Sequence, residues 1–276
     1  MRRGLRIDHA LLPYLGWLAL FLIGPLFFVF VASLQQKGLW GGVSWVWSFS
    51  NYTRAFDSIY LYVLWSSFKL AAVTAFSCLL IGFPMAWFMA RLDPKWRTAA
   101  IILVLMPFIS NFVVRAYALK FLIGLEGPLN RFLMNVGLID TPLFLDNLKF
   151  AVWFGMVTNY LPFAVLPIYV SLERLDIQLL ETARDLGANS LQLWFRIVWP
   201  LSRSAVVTGG TLVFVPAFGE FVIPDLMGGA KTMYLGNLLA DQFLKARDWP
   251  FGAALSVLMM IVIVFLLSIV RRGVRT

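Results

Sequence analysis

Two acidic and two aromatic residues stand in apolar surroundings, where they are suited to hold a positively charged ligand. Glu220 and Asp225 follow Phe218 in the run PAFGEFVIPDLM, and Tyr160 stands in a second apolar run. Carboxylates and the faces of aromatic rings both attract ammonium groups. An ionisable residue within a membrane span is by default a functional candidate. We therefore expect Glu220, Asp225, Phe218 and Tyr160 to be candidates for lining a substrate pathway.

Other kinds of site chemistry are excluded by counting residues. The chain has one histidine, His9, and one cysteine, Cys78, which excludes a histidine-based metal site, a Ser-His-Asp triad and an internal disulfide. The stretch GGAKT at 228–232 has alanine where a phosphate-binding loop needs glycine before its lysine. The sequence therefore predicts no catalytic, cofactor or metal site, and any ATP must be bound by a partner.

The composition predicts an all-α integral membrane protein. Hydrophobic residues make up 61% of the 276 residues, charged residues only 13%, and the mean hydropathy is +0.82. A soluble domain carries roughly a quarter charged residues. We expect a single transmembrane domain, 1–276, with six spans of about the ~20 residues that a crossing helix needs. The expected spans are 11–34, 63–90, 99–121, 150–172, 204–224 and 251–270.

The basic residues are unevenly distributed between these spans, which predicts the orientation. Of the 23 Lys and Arg residues, 13 fall in the segments that lie inside if both termini are cytoplasmic, against six acids there. The outer segments hold eight, against seven acids. An excess of Lys and Arg marks cytoplasmic loops. This distribution accounts for the net charge of +9. We therefore expect membrane lipid, and no nucleic acid, as a partner of the basic residues.

A polar stretch, 173–203, separates the expected fourth and fifth spans. Its periodicity predicts two short amphipathic helices joined at Gly187, a residue suited to the left-handed conformation that ends a helix. We expect Asn189 or Ser190 to cap the second helix and Pro200 to end or bend it. Such a helix–turn–helix, with an apolar side and a charged rim, is typical of a surface that a soluble partner grips. The predicted apolar faces consist of Leu175, Leu179, Ala183 and Leu186, then Leu191, Trp194, Phe195 and Val198.

The 173–203 loop also resembles the EAA loop of ABC importer permeases, EAA-x3-G-x9-I-x-L-P. Thr182 replaces the middle alanine of that pattern and Trp199 replaces its leucine. In that family the loop docks into a cleft on a cytoplasmic ATPase. The resemblance therefore implies an ATPase-coupling role for the matching residues, which are Glu181, Ala183, Gly187, Ala188, Ile197 and Pro200.

A wider resemblance, carried by LLETARDLGA, DLMGGAKT and FLKARDWPFGAA, covers essentially the full chain. It is to permease subunits of spermidine/putrescine ABC importers of the PotB/PotH type. This resemblance implies a six-helix type I importer permease in a bacterial inner membrane, which takes up polyamines. It also implies the partners, which are a second homologous permease, two copies of a cytoplasmic ATPase and a periplasmic binding protein.

Two other functions stay open from the sequence. One is an ABC permease for another small solute, such as an amino acid or an anion. The other is an ion-coupled secondary transporter working alone, a class that often shows inverted repeats and broken helices in pairs. No repeat is visible here, and a solitary carrier has no use for the helix–turn–helix at 173–203.

Overall fold

The computed structural model describes residues 11–145, 148–229 and 232–275. His9 and the middle of the GGAKT stretch lie outside the described residues. Long apolar segments fold as helices because a membrane offers their backbone groups no other partner. In chain order the elements of the first part are α1 (Leu11–Leu18), a π-turn (Ala19–Ile23), α2 (Gly24–Ser33), β1 (Gln35–Lys37), β2 (Val43–Trp47), α3 (Ser50–Ala55) and α4 (Ser58–Ala90).

The remainder of the described chain is also helical, so the all-α class is confirmed. Its elements are α5 (Pro94–Ile109), α6 (Phe112–Ile123), α7 (Pro128–Asn135), α8 (Lys149–Glu173), α9 (Ile177–Asp185), α10 (Ser190–Leu193), a π-turn (Trp194–Val198), α11 (Trp199–Phe218), α12 (Val222–Met227), α13 (Leu235–Ala240), a π-turn (Asp241–Lys245) and α14 (Trp249–Arg275).

Five of these helical segments are long and apolar enough to cross a membrane, and a bent pair brings the number to six. The bent pair, Pro94–Ile109 with Phe112–Asn135, turns by 96°. It occupies the stretch that the sequence predicts as one continuous third span, 99–121. The five segments are Gly16–Ser33, Ser58–Ala90, Lys149–Glu173, Ser190–Phe218 and Trp249–Val270.

The bend in the third span has a local cause that its apolar composition conceals. Asn111 leaves the helical conformation, and its side chain accepts hydrogen bonds from the amides of Val113 and Val114 at 2.8 and 3.4 Å. Asn111 therefore caps a new helix inside the apolar run. Arg115, one turn later, donates to the backbone carbonyl of Pro107 and, at 2.5 Å, to Oδ1 of Asn159.

The chain divides into two compact units, and each is described by itself. The first comprises 1–61 and 238–264. Within it, β1 and β2 form an antiparallel hairpin with a bulge between Gln35 and Gln36. The Arg54 guanidinium donates to the Asp248 carboxylate at 2.8 Å and lies 3.9 Å from the centre of the Phe251 ring.

The second unit comprises 62–237 and 265–276, and α8 is its central packing element. At Ala164 of α8, glycines let two helices approach closely. A Cβ at Gly82 of α4 would lie 3.5 Å from the Ala164 Cβ, and a Cβ at Gly209 of α11 would lie 3.0 Å from the Ala164 carbonyl oxygen. Small residues on facing helices are the usual means of close packing in lipid.

Candidate functional site

The two helices of the 173–203 loop meet at Gly187 in the predicted left-handed turn. Gly187 has φ +83°. Its amide donates to the carbonyl of Arg184 at 2.8 Å, and the amide of Ala188 donates to that of Ala183 at 3.0 Å. These two bonds form a Schellman motif, which satisfies carbonyl groups at the end of α9. The turn is thus set by backbone hydrogen bonds that need a residue able to adopt positive φ.

Asn189 caps the second helix, which settles the choice left open with Ser190. Its side chain accepts from the amide of Gln192 at 2.8 Å, and the Gln192 side chain accepts from the amide of Asn189 at 3.0 Å. This reciprocal capping box fixes the start of the helix. The start of the second helix is therefore fixed by side-chain hydrogen bonds, next to a turn fixed by backbone ones.

Pro200 does not end the second helix, which corrects one of the two predicted alternatives; a bend at Pro200 stays a prediction. Helical structure continues from Ser190 to Phe218. A π-turn, Trp194–Val198, comes immediately before, and the amide of Trp199 donates to the carbonyl of Trp194. The wider turn gives room to the proline ring, which in a regular helix would clash with a carbonyl of the preceding turn.

The underside of the loop is buried against the ends of α4 and α8. Leu180 and Leu193 belong to a hydrophobic cluster that also contains Phe83 and Leu172. The Trp194 ring meets the Phe83 ring edge-on at 4.8 Å. Aromatic pairs of this kind add to the stabilisation from buried area. The loop is therefore seated firmly on the helices beneath it.

The opposite side of the loop exposes apolar side chains, which corrects part of the predicted faces. Leu186 is 85% exposed, and Leu179, Leu191 and Phe195 are also exposed. The inner face is formed by Leu180 and Leu193, which the prediction did not include, and by Val198, which it did, together with partly buried side chains of the predicted sets. The family-pattern residues are distributed between both sides: Ala183, Ala188 and Ile197 are partly buried, whereas Glu181, Gly187 and Pro200 are exposed.

Sequence reasoning missed an ion pair at the base of the loop. Arg97 of α5 donates to the Glu173 carboxylate at 3.0 Å and to the carbonyls of Ala90 and Leu92 at 3.2 and 3.3 Å. Through Arg97, these bonds join the end of α4 to the end of α8. Arg97 and Glu173 are 76 residues apart in the chain. Nearby, the pKa of Arg91 is lowered, mainly by burial and to a smaller extent by the positive charge of Arg184.

The second candidate region centres on Glu220, which lies in the break between α11 and α12. The Tyr160 hydroxyl of α8 donates to Glu220 Oε2 at 2.5 Å. The amide of Val222, the first residue of α12, donates to Oε1 at 2.8 Å. A carboxylate at a helix N-terminus is favoured by the orientation of the peptide dipoles. The structure thus brings Tyr160 and Glu220 together as a pair.

The other two candidate pathway residues are placed differently. Phe218 is fully buried and stacks on Phe214 with ring centres 5.9 Å apart. Asp225 is exposed on α12. The structure therefore separates the four predicted residues into a hydrogen-bonded pair, a buried support and an exposed acid. Asn159, next to Tyr160, was not predicted as a site residue, and its side-chain oxygen accepts a hydrogen bond from the Arg115 guanidinium.

Comparison with known proteins identifies relatives for this arrangement. Residues 79–275 match the family described as "Binding-protein-dependent transport system inner membrane component". The chain is 42% identical over 260 residues to the spermidine/putrescine transport system permease protein PotB of Escherichia coli strain K12, covering 94% of each protein. It is 37% identical to the protein of the same name from Haemophilus influenzae, covering 94% of this chain and 90% of that protein.

Solved structures share the fold. A chain of a bacterial alginate ABC transporter, solved in complex with a periplasmic protein bound to an alginate pentasaccharide, matches with a TM-score of 0.67 and 18% identity. It covers 97% of this chain and 94% of that one. A chain of the MetNI methionine ABC transporter in an inward-facing conformation matches with a TM-score of 0.57 and 18% identity, covering 78% of this chain and 94% of that one. At this identity the likeness shows the fold alone.

Proposed function

Since the chain belongs to the family of binding-protein-dependent transport system inner membrane components, we propose that it is the permease subunit of an ATP-driven ABC importer for polyamines such as spermidine and putrescine. The observation that carries this proposal is the 42% identity to a spermidine/putrescine permease across 94% of both proteins. The chain is a transport subunit and not an enzyme. Its proposed partners are a periplasmic binding protein, a second homologous permease and two copies of a cytoplasmic ATPase.

The 173–203 loop is proposed as the surface that couples the permease to the ATPase. Its outward side carries Leu186, Leu191 and Phe195, all exposed, beside the charged residues Glu181 and Arg184. An apolar patch with a polar rim is characteristic of a protein–protein contact. The buried underside and the Arg97–Glu173 ion pair support the further point that movement of the loop would be transmitted directly to α4, α5 and α8.

The orientation is proposed from the charge bias, with both termini and the 173–203 loop in the cytoplasm. In that orientation the proposed coupling surface faces the compartment in which ATP is available. A reporter fused after Arg203 should then behave as cytoplasmic, and one fused near Asp140 as external. Export of the reporter at Arg203 would contradict the proposed map.

The pair of Tyr160 and Glu220 supports a cationic substrate. Two donors fix the carboxylate, and the residue is partly exposed. A carboxylate that retains one accessible side can accept from an ammonium group without having to be reoriented. We propose Glu220 as the residue that attracts the polyamine, with Tyr160 and Phe218 as its supports and Asp225 as a second acid along the route.

The test is transport by the complete assembly in proteoliposomes. The chain is reconstituted with its proposed partners, the second permease, the ATPase and the binding protein, and uptake of labelled putrescine, spermidine and an amino acid is measured. ATP-dependent uptake of a polyamine, absent without the binding protein, is the expected result. ATP-dependent uptake of the amino acid alone would contradict the polyamine assignment. Uptake by the purified chain without ATP would contradict the ABC mechanism and favour a secondary transporter.

A further inference from the structure

A basic cavity lies at the end of the helices away from the 173–203 loop, in the second unit. Its volume is about 360 Å³. Lys69 of α4 and Lys149, the first residue of α8, both line it, and hydroxyl groups of Tyr62, Ser66 and Thr232 add further donors. No carboxylate is among the described side chains that line it. The cavity is therefore chemically suited to an anion.

The backbone adds to this positive character. Leu148, which precedes α8, gives the helix no side-chain cap, so amide groups of the first turn are not satisfied by their own cap. The N-terminus of a helix carries a partial positive charge and binds phosphate groups readily. Lys149 stands at this terminus and Lys69 comes from another helix. Two lysines from different helices thus line one cavity, and one of them stands at a helix N-terminus.

The depth of the two lysines matches the headgroup region of a bilayer. Lys69 stands about 20 residues from the end of α4 at Ala90, or about 30 Å along the helix. Lys149 lies at the opposite end of the 25-residue α8 from Glu173, about 36 Å along the helix. The hydrocarbon core of a bilayer is about 30 Å thick. If the hydrocarbon core begins at Ala90 and Glu173, these lengths put both ammonium groups at or just beyond its far edge, the level at which lipid phosphates lie.

An exposed apolar stripe continues from the cavity along α4. Val73, Phe76 and Leu80 follow Lys69 at helical spacing, and their exposed fractions are 51%, 67% and 64%. Such a stripe below a basic cavity fits acyl chains attached to a phosphate headgroup. The Lys69 ammonium also lies 5.1 Å from the centre of the Trp65 ring, and tryptophan is enriched at this level of membranes.

We propose that this cavity binds an anionic phosphate group, supplied by a phospholipid or by free phosphate ion. The cavity shares no lining residue with the four candidate pathway residues, and its two lysines would repel a polycation. The phosphate accepts hydrogen bonds from the ammonium groups of Lys69 and Lys149. The proposal requires only that the chain is embedded in a membrane, and not that its substrate is a polyamine.

The test is lipid retention by the purified full-length chain, read by native mass spectrometry. The chain is exchanged into detergent containing phosphatidylglycerol or phosphatidylcholine, or into phosphatidylcholine with millimolar inorganic phosphate. Lys69→Gln, Lys149→Gln and the double variant are compared with Lys37→Gln, which removes the same charge from β1, outside the cavity. The double variant Lys69→Arg/Lys149→Arg keeps the charge and tests for rescue.

Wild type and Lys37→Gln are expected to retain phosphatidylglycerol preferentially. Removal of either cavity lysine should weaken the retention of phosphatidylglycerol about fivefold, as expected for one basic group at an anionic lipid surface. The Lys69→Arg/Lys149→Arg variant should restore the retention of phosphatidylglycerol.

Retention of inorganic phosphate in place of the lipid, lost in the same glutamine variants, would assign the site to the free ion. Equal retention of both lipids without phosphate binding, or wild-type preference in the double glutamine variant, would overturn the proposal. So would an unchanged lipid profile of the double glutamine variant if the same variant, reconstituted with the ATPase and the binding protein, lost binding-protein-stimulated ATP hydrolysis, since that would place a protein at the cavity.

Discussion

Tyr160 and Glu220, which are 60 residues apart in the chain, are joined by a 2.5 Å hydrogen bond from hydroxyl to carboxylate. The bond connects the middle of α8 to the break between α11 and α12. The amide of Val222 binds the second carboxylate oxygen. Glu220 therefore has a fixed orientation before any ligand arrives, and the cost of ordering it is already met by the fold.

Replacing Glu220 by glutamine tests whether its charge attracts the substrate. Glutamine keeps an acceptor oxygen for the Tyr160 hydroxyl or the Val222 amide, so the fold should be retained. A hydrogen bond to a charged group is worth about 1.5–3 kcal/mol. We expect the KM for polyamine uptake in proteoliposomes to rise about tenfold or more, with ATPase copurification unchanged.

The matched control for Glu220 is Asp225→Asn, because Asp225 lies outside the hydrogen-bonded pair. We expect a smaller effect on KM for this variant. Tyr160→Phe leaves the charge but removes one of the two donors that orient it, and should give an intermediate rise. Unchanged uptake kinetics in Glu220→Gln would show that the acid is structural.

Replacing Gly187 by leucine tests the turn of the 173–203 loop. No heavy atom lies within 4 Å of a Cβ built at this position, so the chain itself does not oppose the side chain sterically. The positive φ costs about 1 kcal/mol or more for a residue with a Cβ. We expect normal insertion but loss of most ATP hydrolysis stimulated by loaded binding protein. Gly187→Asn is the control, since asparagine tolerates this conformation, and should retain more stimulation than leucine.

Replacing Glu181 by alanine tests the charged rim of the same loop. Glu181 is exposed and lies on α9, away from the turn, so the variant changes charge without changing the shape of the turn. We expect weaker copurification of the ATPase and an intermediate loss of stimulated hydrolysis. The effect should diminish at high salt, because exposed charges are screened. Wild-type stimulation in both Glu181→Ala and Gly187→Leu would show that the loop is not the coupling element.

Replacing Gly209 by alanine tests the contact between α8 and α11. The added Cβ would lie 3.0 Å from the carbonyl oxygen and 3.2 Å from the Cα of Ala164, and backbone atoms cannot move aside locally. We expect destabilisation of about 1–3 kcal/mol, measured as a lower Tm of the purified chain in detergent. Gly210→Ala is the neighbouring control, because its Cβ would meet only the Leu79 side chain, at 3.1 Å. Equal Tm values for the two variants would contradict the close helix contact.

Replacing Arg54 and replacing its ion-pair partner Asp248 should lower the free energy of unfolding by different amounts. The Asp248 side chain is 8% exposed and that of Arg54 is 43% exposed. Burial by itself lowers the pKa of Arg54. Hydrogen bonds to Asp248 and Tyr60 outweigh this effect and raise the pKa, so Arg54 stays charged. Arg54→Met leaves a buried carboxylate without its cation and should cost about 2–3 kcal/mol after allowance for solvent screening.

The reciprocal variant, Asp248→Asn, should cost about 1 kcal/mol, near the usual value for a single hydrogen bond. Asparagine can still accept from the Phe251 amide, which the aspartate binds at 3.3 Å. Arg54 keeps its contact with the Phe251 ring and reaches solvent. Thermal unfolding of both variants in the same detergent provides the comparison. A larger loss in Asp248→Asn than in Arg54→Met would contradict the buried-charge explanation.

The sequence by itself determined the class of the protein and the character of the 173–203 loop. Continuous apolar runs must become helices in lipid, because their backbone groups have no other partners there. Gly187 and Asn189 act within a few residues of themselves, so the turn and the cap follow from local chemistry. The relation to importer permeases was equally visible, because the motif lies in one contiguous stretch.

Only the tertiary structure decided which side chains meet. Periodicity placed Leu186 and Phe195 on apolar faces but gave no means of telling that Leu180 and Leu193 would be the buried side, since that depends on where α4 and α8 lie. The cap at Asn111 is local, but the hydrogen bond from Arg115 to Asn159 joins residues 44 positions apart. The pairing of Tyr160 with Glu220 arises where α8 passes the end of α11, and contacts across tens of residues leave no signal in local spacing.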